Sequence, residues 1–163
     1  KAALILEKEL EAERIKDEEK NWEQLANAWL SAREWTKAIP PLTKAAEMSE
    51  DGGLFLRLGQ TYMQEEDWKN AEKNIRYAIK KGDLDNPGRA WLLLGITRNK
   101  KGIKFENSAL FAFKRSTGYD DMEADARRWV KVIEAKQARR EADRLAAEAA
   151  EAELADDTIY FNW

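Results

Sequence analysis

Large apolar, small and polar residues recur along this chain in one fixed order. Trp22, Leu25, Ala26 and Trp29 are followed by Ala38 and Leu42. Phe55, Leu58, Gly59 and Tyr62 are followed by Ala71 and Ile75. Trp91, Leu94 and Gly95 are followed by Ala109 and Phe113. The three starts lie 33 and 36 residues apart. Within a block the leading aromatic and the leucine are three apart, so on a helix they share a face. The small residue beside the leucine removes bulk where a second helix must come close. Ala38, Ala71 and Ala109 are the small counterparts on that second helix. Trp35 and Trp68 stand three residues before two of these alanines and cover the turn between the helices. Ala45 and Ala78 extend the close contact, with Ser116 in the third block. Each block therefore predicts a hairpin of helix A and helix B.

The connections agree. Asp51-Gly52-Gly53 separates the first two blocks, and the run from Gly82 to Gly88 separates the second from the third. In that run Asn86 can cap a helix whose first position is Pro87. The order of residues resembles the tetratricopeptide repeat (TPR), whose period is about 34 residues. That resemblance implies an all-α TPR helical-hairpin solenoid, with three hairpins over residues 21–121. Two departures stand out. Arg98 occupies the place of the repeat's tyrosine, and the segment 98–105 is about two residues longer than its counterpart. A looser turn is expected there, with Phe105 standing in for Trp68. The proline that usually closes a TPR is absent throughout.

The flanks read differently. Residues 1–20 predict one helix of a truncated upstream repeat, with Ala3, Leu6 and Leu10 as its apolar stripe. Residues 122–155 predict a long capping and extension helix. Met122, Ala126, Trp129, Val130 and Ile133 form a face able to cover the last repeat, as terminal repeats require. From Ala135 to Ala155 there are nine alanines and many charges, with Arg139–Asp143 and Arg144–Glu148 as i,i+4 pairs. Asp156-Asp157 is expected to break the helix before an aromatic tail, 156–163. Ile159, Tyr160, Phe161 and Trp163 are docking candidates, on their own chain or on another, through a strand-like contact.

Composition narrows the chemistry. Hydrophobic residues make up 44% and charged residues 36%, which suits amphipathic helices. Net charge is −3, so there is no basic excess for nucleic acid. No stretch approaches the length of a membrane span. Cysteine and histidine are both absent, which removes the usual zinc ligands and the imidazole of triad catalysis. No enzyme activity and no cofactor is expected. Asp83-x-Asp85-Asn86 lacks the later glutamate of a calcium loop, and Gly52-Gly53 lacks the lysine of a phosphate loop. The chain opens on Lys1 rather than Met, which reads as a piece of a longer protein.

In TPR geometry helix A of each repeat lines a concave groove. The positions that resemblance points inward are Glu23, Asn27 and Leu30, then Leu56, Gln60 and Met63, then Leu92, Ile96 and Asn99. Amides can pair with the backbone of an extended peptide, and Leu, Ile and Met give adaptable apolar contacts. The alternative is that part of this set packs against the flanking helices. TPR domains that clamp a terminal carboxylate use Lys and Asn at such positions. Here Glu23, Leu56 and Leu92 intervene and only Asn27 fits.

A narrower resemblance covers about Leu4 to Glu134. It is carried by Ile5-Leu6-Glu7-Lys8-Glu9-Leu10, by residues 25–34, by the Pro40-Pro41 pair within Lys37 to Leu42, and by residues 86–95. These resemble the TPR protein associated with TonB2-type energy-transduction systems. That resemblance implies a periplasmic accessory of TonB-dependent transport, with a protein partner drawn from that system. Two functions stay open: a non-catalytic scaffold that binds a partner segment in its groove, or an assembly module of an envelope complex docking through the long helix and tail, including self-association.

Overall fold

The computed structural model describes the backbone of residues 2–160 and the side chains of residues 3–154, Glu11 apart. The described elements are α1 (Ala2–Glu11), α2 (Glu19–Ser31), α3 (Trp35–Met48), α4 (Gly53–Gln64), α5 (Trp68–Lys81), α6 (Pro87–Lys100), α7 (Glu106–Ser116) and α8 (Glu123–Tyr160). One 3-10 turn, Ile103–Phe105, lies between α6 and α7. No strand occurs among the described residues. Three hairpins, α2/α3, α4/α5 and α6/α7, stack on one another through α3 on α4 and α5 on α6. This is the all-α solenoid that the repeat predicts.

The hairpins close where side chains are missing. A Cβ on Gly59 would stand 2.6 Å from Ile75 Cγ1, with the α5 backbone at 3.2 Å behind it. A Cβ on Gly95 would stand 2.5 Å from the Phe113 ring. Ala38, Ala71 and Ala109 are fully buried opposite. The core then runs along the stack as a chain of clusters, each shared by neighbours. Leu42, Ala45, Leu54 and Leu58 join the first and second hairpins. Ile75, Leu94 and Ala112 join the second and third. Stability in such an array is carried between nearest neighbours.

The first two A–B turns are three residues long, and Arg33 (φ 58°) and Glu66 (φ 56°) occupy the same left-handed position 33 residues apart. The third is longer, with Gly102 at φ 107° before the 3-10 turn. Glu106, not Phe105, stands three residues before Ala109, at the register of Trp35 and Trp68. The expected substitution of Phe105 for Trp68 is thus off by one residue. Asn86 caps α6 as predicted: its Oδ1 accepts from the Arg89 N–H at 2.7 Å, with Pro87 at the helix start. Asp67 caps α5 in the same way, accepting from the Asn70 N–H at 3.0 Å. That bond is the main reason its carboxyl lies below the usual range. Helix α3 continues through Pro40 and Pro41. The carbonyls of Thr36 and Lys37 thereby lose their intrahelical partners.

The flanks depart from expectation. Helix α1 ends at Glu11, because the chain turns at Glu13 (φ 54°) and Arg14 reaches back to Glu9 at 2.7 Å. Residues 1–20 are therefore not one helix. At the other end α8 shows no break at Asp156–Asp157 and stays helical to Tyr160, which overturns the strand-like tail at Ile159 and Tyr160. Aspartate is only a modest helix former, and the alanine-rich turns before it carry the helix on. Phe161 and Trp163 lie outside the described residues.

Candidate partner-binding surfaces

Helix α4 packs directly on α6, whereas α5 and α7 are not in comparable contact. Helices α4 and α6 therefore meet on the inner side, while α5 and α7 splay on the outer side. On the inner side two clefts adjoin. One, of about 470 Å³, is walled by Leu30, Trp35, Met63 and Leu93, with Arg57, Gln60 and Arg89 as polar groups. The other, of about 400 Å³, shares Arg57, Gln60 and Arg89 and adds Leu56, Glu19 and Glu23 with Asp51 and Asp85 at its edge.

The nine groove residues expected from sequence divide between these clefts and the core. Glu23, Leu30, Leu56, Gln60 and Met63 line one cleft or the other. Asn27 is half-buried and accepts a hydrogen bond from Arg57, which also donates to Glu23 Oε1 at 2.7 Å. One guanidinium thus ties α2 to α4 and consumes the amide oxygen that a peptide would have used. Leu92 and Ile96 instead pack with Leu110, Trp129 and Val130 around Ala109, Phe113 and Ile133. There α8 lies on the third hairpin as a further helix A would, and the leucine and isoleucine are half-buried. Asn99 lines neither cleft; its carbonyl accepts from the Gly102 N–H at 3.2 Å. Sequence reasoning missed Arg57, Arg89 and Leu93. Arg57 and Leu93 both stand two residues beyond a leading aromatic, one step from the positions chosen. That shared offset was the available signal.

Arg98 explains the missing tyrosine. Its Nε donates to Glu72 Oε1 at 2.9 Å and its Nη1 to the Ser108 carbonyl at 3.0 Å, joining α6 to α5 and α7. Lys101 donates to the other Glu72 oxygen at 2.6 Å. Burial by itself raises the Glu72 carboxyl, but the hydrogen bonds from Lys101 and Arg98 outweigh it and hold the group below its usual range.

Helix α8 caps the stack and then leaves it. Ala126 and Ile133 are buried, and Trp129 lies flat on Phe113 with ring centres 5.3 Å apart and planes 3° from parallel. Gln137 donates to Asn107 at 2.9 Å, and Arg140 pairs with the buried Glu106. Residues 141–154 are exposed throughout. Arg144 pairs there with Glu148 at 2.5 Å, while Arg139 and Asp143 form no pair. Among the described residues no helix is long and apolar enough to cross a membrane.

The fold has known counterparts. The structure of MamA superposes with a TM-score of 0.70 at 18% identity, over 93% of this chain and 90% of that one. YrrB, described as a TPR protein with an unusual peptide-binding site, gives 0.63 at 22% identity over 77% of this chain and 63% of its own. The Arabidopsis OM64 TPR domain gives 0.62 at 15% identity, over 72% and 95%. No protein-family model and no curated protein sequence matches the chain. Three repeats in register, closed by glycines and alanines and superposing on solved TPR proteins, give this chain the fold of a TPR solenoid.

Proposed function

We propose that this chain is a non-catalytic interaction scaffold whose inner face takes an extended segment of a partner protein. The adjoining clefts carry the reading. Their shared centre offers the Gln60 amide and the Arg57 and Arg89 guanidiniums between apolar walls from Leu30, Leu56, Met63 and Leu93. An amide can pair with peptide backbone, arginine with a carbonyl or carboxylate, and the walls accept alternate side chains. YrrB, which has a peptide-binding site, is a precedent for such use of the fold. The finer reading rests on sequence resemblance: a periplasmic accessory of TonB-dependent transport, with a component of that system as partner. Titration calorimetry with purified periplasmic segments of a TonB-type system tests both levels. Binding that is lost in the Gln60→Ala, Arg89→Glu double variant supports the site. Equal binding by wild type and double variant removes it, and silence with every such segment removes the transport assignment.

A second reading has its own observation. Residues 141–154 form an exposed helix that projects from the capped end of the stack. We read this projection as an assembly arm.

A further inference from the structure

The splay of α5 and α7 opens a second groove, on the outer side, of about 670 Å³ with α6 as its floor. Its aromatic surface is built from Tyr77, Trp91 and Phe111, the first and last 49% and 57% exposed. Trp91 meets Phe111 edge-on, with ring centres 6.1 Å apart, and Arg115 lies over Trp91 at 5.2 Å. Along one wall α5 presents Lys69, Lys73, Arg76 and Lys80, one per helical turn. These four form no ion pair among the described residues. The one carboxylate in the groove is Glu72, and Arg98 and Lys101 already neutralise it. An occupant for such a groove is acidic and aromatic together.

This chain contains such a segment. Residues 145–163 hold five acidic residues, Glu148, Glu151, Glu153, Asp156 and Asp157, and no basic one. They end with Ile159, Tyr160, Phe161 and Trp163. The other clefts suit it less. The inner cleft beside α2 carries Glu19, Glu23, Asp51 and Asp85, and the one beside α1 carries Glu7, Glu13 and Asp17. The remaining inner cleft has only Arg57, already paired with Glu23, and Arg89, against the four α5 cations of the outer groove. The described part of the segment runs away from its own stack. Among the described residues the last ion pair of α8 with the stack is Arg140 on Glu106, and the helix runs on to Tyr160. At about 1.5 Å per residue that carries it roughly 30 Å past the stack. We propose that the acidic, aromatic segment 145–163 of one copy docks in the α5–α6–α7 groove of a second copy. The donor and acceptor surfaces differ, so the contact is heterologous and copies join head to tail, in a ring where the rotation closes and an open chain where it does not. The proposal rests on the assembly-arm reading of α8 and adds the surface that receives the arm.

The test is the mass of the full chain against concentration, by light scattering and sedimentation, with circular dichroism as a control of folding. Wild type should gain mass with concentration and lose it as salt is raised, since exposed charges are screened beyond about 10 Å. The groove variant Lys73→Glu, Arg76→Glu and the arm variant Glu151→Lys, Glu153→Lys, Asp156→Lys, Asp157→Lys should each stay monomeric. An equimolar mixture of the two should associate again, because the groove variant's acidic arm then meets the arm variant's unchanged basic groove. A wild type that is monomeric throughout overturns the arm reading as a whole. Association abolished in the arm variant but intact in the groove variant overturns the groove alone. A monomeric wild type whose groove captures a different acidic protein likewise refutes self-docking.

Discussion

Replacing Gly95 by alanine should destabilise this protein, although the same change usually helps a helix. Alanine in a helix interior is better than glycine by about 1 kcal/mol, so an unhindered site would gain that much. At Gly95 the new methyl would stand 2.5 Å from two carbons of the Phe113 ring, about 1 Å inside ordinary contact. The ring has nowhere to go. Phe113 is fully buried, and its ring is stacked on Trp129 at 5.3 Å. Moving it by the missing ångström opens a gap against Trp129 that forfeits a quarter to a half of those contacts. Overpacking of this kind costs about 1–3 kcal/mol. With the ring buried and held against Trp129 the upper part of that range applies, and the net loss is about 1–2 kcal/mol. Urea unfolding followed by circular dichroism measures it, and a Phe113→Leu background gives the control. Leucine lacks the offending ring atoms, so Gly95→Ala should be neutral or favourable there, a coupling of about 1–3 kcal/mol. A stabilised Gly95→Ala protein, or simple additivity with Phe113→Leu, would refute the claim that α6 and α7 meet at this glycine.

Three further outcomes follow from the same geometry. Because the Glu72 carboxyl lies below its usual value of 4.5 in the folded chain, its contribution is complete above that value and is lost as pH falls through the lowered one. Wild type should therefore lose stability more steeply than Glu72→Gln on going from about pH 5 to pH 3, and parallel curves would show that the Arg98–Glu72–Lys101 cluster adds nothing. Arg140→Ala strands the buried Glu106 carboxylate; since Arg140 is itself 42% exposed, a loss of about 1–2 kcal/mol is expected, with faster amide exchange in the capping half of α8. Unchanged exchange would mean the pair does not hold the cap. Leu92→Glu should lower the melting temperature by driving a charge into the Phe113–Ile133 cluster, whereas Gln60→Ala should leave it within the small range of surface changes, about 0.5 kcal/mol. Equal melts would place Leu92 on the open face after all.

What the sequence made legible was what repeats. Gly59, Gly95 and the alanines opposite them are forced by how closely two helices approach, so the same small residues recur at the same spacing and announce the hairpins. The capping face of α8 was legible for the same reason: a stack must end against apolar side chains. The inner face was harder to read. On a helix a shift of one residue turns a side chain by about 100°, and while five of the nine positions taken as inward-facing do line the clefts, Leu92 and Ile96 of the third hairpin meet α8. Arg57 and Leu93, one residue further on than Leu56 and Leu92, line the clefts as well. The third hairpin hid most. Its longer turn puts Glu106 at the register where the other two have tryptophan, and a lone glutamate there reads as solvated surface. Its partner Arg140 is 34 residues away on another helix, and no local pattern joins them. Arg98 is similar: it stands where a tyrosine fills the repeat, and its reason is a carboxylate 26 residues earlier. Both exceptions replace an apolar contact with a charged one between helices. Repeat matching sees only the departure, because the compensation belongs to a different repeat; a long-range ion pair becomes visible only once the stack has brought its two ends together.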